Sequence, residues 1–256
     1  MGLLRDWHRR RILRRATLPD DDAWRAARRR LPLLENLSPE EERRLRELTL
    51  LFLHEKRFSG AHQFQVEERH RLRIALQAVL PLLQLGPDWW GGWREVILYA
   101  DEFIVDQEQQ DEAGVVHRYR EVRSGESWQH GPLVLSWADV QSGGRLDGYN
   151  VVIHEMAHKL DGQSGALDGM PPLHRGMSAR RWIEVFTAAY DELNQLLDAG
   201  AETLLDPYAA EAPAEFFAVV SESFFETPWF LADYYPEIYQ QLSLFYRQDP
   251  RQRLGY

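Results

Sequence analysis

Residues 150–161 read Asn-Val-Val-Ile-His-Glu-Met-Ala-His-Lys-Leu-Asp, and within them His154, Glu155 and His158 form an H-E-x-x-H pattern in an otherwise apolar stretch. An α-helix turns about 100° per residue, so side chains four apart lie over one another and two imidazoles can grip one ion. Glu155 sits on the same turn as the first imidazole, where its carboxylate reaches a water beside the metal without ligating the metal itself. With nine histidines in 256 residues, a fortuitous H-E-x-x-H is expected in roughly 3 per cent of chains of this composition. Val151, Val152, Ile153, Met156, Ala157 and Leu160 would enclose a dry site, and two histidines buried beside a glutamate need a reason to be there. The stretch therefore predicts an active-site helix with a zinc-peptidase signature. Lys159 is the one charge out of keeping with it.

Helical signals flank this stretch. Ser38-Pro-Glu-Glu41 is a capping box with proline at the first helical position, opening a helix with Leu45, Leu48 and Phe52 on one face. Leu72, Ala75, Leu76, Val79, Leu80 and Leu83 recur at the spacing of a core-facing helix, predicted to run until Gly86-Pro87. Trp89-Trp90-Gly-Gly-Trp93 reads as a packed turn. From Val96 to Trp137 the pattern changes: Val96–Tyr99, Phe103–Val105, Val115–Val122 and Leu133–Trp137 are short strand-like runs. Leu133–Trp137 is the expected edge strand, open to an extended peptide. Asp147 or Asn150 would cap the signature helix, and Trp182, Phe186, Ala189, Leu193 and Leu196 align along a later helix opening at Ser178. Helices, a small sheet and again helices predict an α+β fold, with a small mixed sheet packed against helices.

The chain has no cysteine, which excludes disulfides and thiolate metal sites and leaves histidine and carboxylate to hold any zinc. The longest uncharged run, residues 74–87, is too short and too interrupted to cross a membrane. Charge is uneven: residues 1–30 carry ten Arg against four Asp, so the rest of the chain must be strongly acidic to reach the formal net charge of −10. Residues 1–30 are read as a flexible basic arm and residues 31–256 as a single peptidase domain. Arg5, Arg9, Arg10, Arg11, Arg14 and Arg15 suit a solvated helix that pairs with the acidic body or frays, rather than a nucleic-acid or anionic-membrane contact. An Arg-rich, acid-poor mitochondrial presequence also fits that composition.

A catalytic zinc takes three protein ligands and water. A third histidine six residues on is missing, since that position is Ser164. Asp161, three residues past His158, is placed to hold the other ring nitrogen of His158. Residues 201–226 hold six acids and no basic residue. On a helix started by Pro213, Glu215, Val219 and Glu222 share a face, while Phe217, Val220 and Phe224 make the apolar stripe. Two carboxylates facing one way beside aromatics need a cation or donors, and periodicity does not choose between them.

The chain resembles the Mlc titration factor A (MtfA) peptidases, zincins with a glutamate ligand, similar to the catalytic domain of anthrax lethal factor. The likeness is carried from about Leu31 to Leu254 by Phe58, Arg73-Ile-Ala-Leu76, Ser127-Trp-Gln129, Gly131-Pro132, Asn150–Asp161, Tyr208-Ala-Ala210, Pro213-Ala-Glu215, Phe217-Ala218, Phe224-Phe225, Gln248-Asp-Pro250 and Gln252-Arg-Leu254. The resemblance implies one Zn²⁺ held by His154, His158 and Glu215, with Glu155 as general base, Tyr208 near the reacting carbonyl and Glu222 left as an outer-shell partner. It also implies a cytoplasmic peptidase, aminopeptidase-like on short peptides, linked to a glucose-responsive Mlc-like repressor. No direct nucleic-acid binding is expected. The alternative is a regulatory protein that sequesters the repressor and keeps zinc as structure or gate.

Overall fold

The computed structural model describes residues 2–15, 21–101, 103–110, 116–123, 125–127 and 131–255, so Val115, Trp128 and Gln129 of the sequence reading lie outside the described residues. Two helices open the chain, α1 (Gly2–Arg15) and α2 (Asp21–Arg28). Ile12 and Trp24 join the core, and Arg9 is held by Glu55 at 3.1 Å, Asp88 at 2.6 Å and the Pro87 carbonyl at 2.9 Å. The capping box forms: the Ser38 N–H donates to Glu41 at 2.9 Å, and α3 (Pro39–Glu55) buries Leu45, Leu48 and Phe52.

β1 (Arg57–Gly60) precedes α4 (Glu68–Val79). That helix is shorter than expected, because Pro81 has no N–H to donate back to the helix, although Leu80 itself keeps helical backbone. Leu80, Leu82 and Leu83 stay fully buried in the turns that follow. The tryptophan cluster is the packed turn expected, with Trp90 and Trp93 buried. Strands β2 (Glu95–Tyr99), β3 (Phe103–Gln110), β4 (Val116–Arg123), β5 (Gly125–Ser127) and β6 (Leu133–Ser136) follow. Then come α5 (Trp137–Ser142), α6 (Val151–Asp161), α7 (Ala179–Asp198), α8 (Pro213–Glu226), α9 (Pro228–Tyr234), α10 (Pro236–Tyr246) and α11 (Pro250–Leu254).

The fold is α+β. One sheet has the order β1-β2-β6-β5, with β1, β2 and β6 parallel and β5 antiparallel to β6, and β3 with β4 forms a separate hairpin. Parallel pairing requires cover on both faces, and all four residues of β6 are buried. The expected edge strand is therefore corrected. Leu133–Ser136 is paired on both sides, Trp137 begins α5, and β5 is the outer strand, lying against α6.

Lys159 on α6 also finds its explanation. Its ammonium donates to the Gly131 carbonyl at 3.0 Å and lies 5.2 Å from the centre of the Trp93 ring. Lys56 stands 3.5 Å from the same ring. The ammonium thus meets a carbonyl and a π face, while burial pulls its pKa down to about 8.

Candidate metal centre

The site is where α6 crosses α8. Asn150 caps α6, its side-chain oxygen accepting from the Ile153 N–H at 3.1 Å, so Asn150 and not Asp147 is the cap; Asp147 accepts from the Tyr149 N–H instead. Four residues further, His154 Nε2 stands 3.2 Å from His158 Nε2. Glu215, in the first turn of α8, brings Oε2 to 3.0 Å from one and 3.1 Å from the other. Among the described residues, these three form the one cluster suited to a metal ion.

The donor set fits a small cation. Ligands about 2.0–2.1 Å from zinc at tetrahedral angles stand roughly 3.3 Å apart, close to the separations found. His154 Nδ1 lies 2.8 Å from Glu222 Oε1. A proton on Nδ1 donating to that carboxylate leaves the Nε2 lone pair facing the cluster, the usual arrangement of a metal-binding imidazole. Burial lowers the pKa of His154, but hydrogen bonds to Glu215 and Glu222 outweigh it and raise the value well above the ordinary one. Glu215 moves the other way: burial would raise it, and the two imidazoles hold it well below the usual carboxylate range.

Glu155 is only 4 % exposed and its Oε2 has no hydrogen-bond partner. Burial raises its pKa. It lines a cleft of about 650 Å³ together with His154, Tyr208 and Glu222. The Tyr208 and His154 rings are 5.9 Å apart between centres. Asp161 does not meet His158 as expected: it accepts from the Gly169 N–H at 2.9 Å, and neither its Oδ1 nor His158 Nδ1 has a hydrogen-bond partner. Only the carboxylate on His154 is in place.

Sequence reading missed the buried lattice behind this site. Glu222 Oε2 accepts from the Asn150 N–H at 2.5 Å, so one carboxylate holds both the helix cap and the first imidazole. One turn on, Glu226 accepts from Gly144 N–H at 2.8 Å, Leu146 N–H at 2.7 Å and Asn150 Nδ2 at 2.7 Å. Gln77 accepts from the same amide at 2.9 Å. The available signal was three acids on one face of α8 in a segment without a single basic residue.

Burial pushes Glu226 up to about 7 from an ordinary 4.5, against the donors that favour its charge. A carboxyl whose folded pKa exceeds its unfolded one keeps its proton longer when folded. Its contribution is therefore complete below about pH 4.5 and is lost as pH rises through about 7. With metal content held equal, urea denaturation between these limits should show wild type losing on the order of 3 kcal/mol relative to Glu226→Gln. Parallel curves would refute the shift.

A family profile described as glucose-regulated metallo-peptidase M90 matches residues 4–247. The match includes the basic α1 helix, further towards the N-terminus than the motif likeness reached. The chain is 41 % identical over 226 residues to Mlc titration factor A of Klebsiella pneumoniae (strain 342), covering 88 % of this chain and 85 % of that protein. It is 40 % identical over 250 residues to Mlc titration factor A of Salmonella typhimurium (strain LT2), covering 97 % and 92 % respectively. To the protein of that name from Escherichia fergusonii it is 40 % identical over 243 residues, covering 94 % and 90 %.

Proposed function

The chain belongs to the glucose-regulated metallo-peptidase M90 family, and from that premise we propose that it is a zinc-dependent peptidase with a zincin-like site. His154 Nε2, His158 Nε2 and Glu215 Oε2 hold the ion. Bound zinc supplies Lewis acidity, polarising a carbonyl and easing loss of a proton from water. Glu155 receives that proton at Oε2 and passes it to the leaving amine. Glu222 fixes the tautomer of His154, and the Tyr208 hydroxyl donates to the carbonyl oxygen as negative charge develops on it. The observation that carries this reading is the convergence of three donors at 3.0–3.2 Å beside a buried carboxylate oxygen without a partner.

The aminopeptidase assignment is supported by the cleft, whose described lining includes Asp147, Asp206 and Glu222 but no Lys or Arg. Such a wall attracts a protonated peptide amine and repels a C-terminal carboxylate. Metal analysis of the purified protein, beside cleavage of free and N-acetylated peptides with and without chelator, tests it. A chelator-sensitive cut of the free peptides alone is expected; equal cutting of both forms would refute the aminopeptidase assignment.

Tyr208→Phe should retain the metal and lower kcat by about 10-fold or more, with little change in KM, because a phenol aimed at developing charge acts in the transition state. A change confined to KM would remove Tyr208 from that role.

We assign residues 31–256 to the peptidase domain, with residues 1–30 as a basic segment packed on it through Ile12 and Trp24, and place the protein in the cytoplasm. Among the described residues no helix is long and apolar enough to cross a membrane. A second reading is favoured by the name of the relatives, Mlc titration factor A: the chain binds an Mlc-like repressor, and the metal site gates that contact. Glu155→Gln separates the two, since a purely sequestering protein would keep every cellular effect.

A further inference from the structure

We propose that Leu204, Trp229 and Phe230 form the side-chain subsite of the cleft and select peptides with a bulky apolar residue, leucine or phenylalanine, beside the scissile bond. The inference rests on the peptidase reading and specifies its substrate class. The apolar bank these three lining residues would form differs in chemistry from the acidic members of the cleft. Leu204 is 59 % exposed and Tyr149 39 % exposed, yet both line the same cleft as His154 and Glu155. Apolar area left in water beside a reaction centre gains from being covered by substrate.

The bank is also built to keep its shape. Leu205 and Val219, in the same cleft lining, are buried. Pro228 opens α9, setting Trp229 and Phe230 in its first turn. The Phe230 ring is backed by Tyr234 at 5.3 Å and Tyr235 at 6.3 Å between ring centres. A cleft of about 650 Å³ accepts a leucine or phenylalanine side chain together with its flanking backbone. An anionic side chain in this cleft would lose water and face Asp147, Asp206 and Glu222 without gaining a cationic partner from its lining.

The test uses zinc-loaded full-length protein and free-amine peptides that differ only in the residue beside the cut: Gly, Ala, Leu, Phe, Glu or Lys. Leucine or phenylalanine should exceed glycine in kcat/KM by about 10- to 100-fold. Leu204→Ser, at an exposed position, should lower the phenylalanine-to-glycine ratio by about 10-fold, and Phe230→Ala by at least as much. Leu244→Ser, equally exposed on α10, is the control and should leave the ratio where it is.

Calorimetric binding of the same peptides to zinc-loaded Glu155→Gln protein separates the two claims. Selective binding without hydrolysis by the wild type would uphold the subsite and refute the peptidase reading. Hydrolysis with no preference, or with a preference for small or charged residues, would overturn the subsite and leave the peptidase reading standing. Neither binding nor hydrolysis of any peptide would overturn both.

Discussion

Glu155→Gln protein should carry close to one zinc per chain and turn over peptide at least about 10²-fold more slowly than wild type. The amide keeps the shape of the carboxylate and removes its capacity to take a proton. The exchange removes no hydrogen bond at Glu155 Oε2, which has no partner, and the converging donors come from His154, His158 and Glu215. Burial has already raised the carboxyl above its ordinary pKa, which suits a base that must accept a proton and then return it near neutral pH. Zinc content by mass spectrometry and kcat on a free-amine peptide decide the matter. Full activity would remove Glu155 from the chemistry, and loss of zinc would make it a ligand.

Glu215→Ala and Glu222→Ala should part company. The first deletes the oxygen lying 3.0 and 3.1 Å from the two imidazole nitrogens and should leave little zinc bound after dialysis. The second removes the carboxylate behind His154 and should weaken zinc by roughly 10- to 100-fold, since the ring loses its tautomer lock but the three donors remain. Competition with a chelator of known affinity measures both. The reverse order would invert the roles given to these two glutamates.

How much of this was legible differs from residue to residue. His154, Glu155 and His158 are neighbours on one helix, so local spacing alone brings them together. Glu215 and Glu222 lie on one face of α8, and only the way that helix crosses α6 sends one to Nε2 and the other to Nδ1. Asp161 satisfied the spacing for a contact with His158, yet tertiary structure gives its carboxylate to Gly169. The apolar stripe of α4 continued past Pro81 because burial continues there even though the helix does not. β1, with the sequence Arg-Phe-Ser-Gly, has no alternation of its own and exists by pairing with β2. Gln77 and Glu226 look like surface residues in the sequence; their common partner Asn150 lies 73 and 76 positions away from them.

The crossing of α6 and α8 also bears on the chain as a polymer. His158 and Glu215 are 57 positions apart, and α7 lies between them. An ion gripping both would close a loop of that length, a cross-link that removes conformational entropy from the unfolded chain on the order of 4 kcal/mol in the terms used for disulfides. In a protein without cysteine, zinc would then be a reversible staple. Its withdrawal would free the connecting segment for local opening and proteolytic nicking, so that metal supply would govern the lifetime of the protein as well as its turnover.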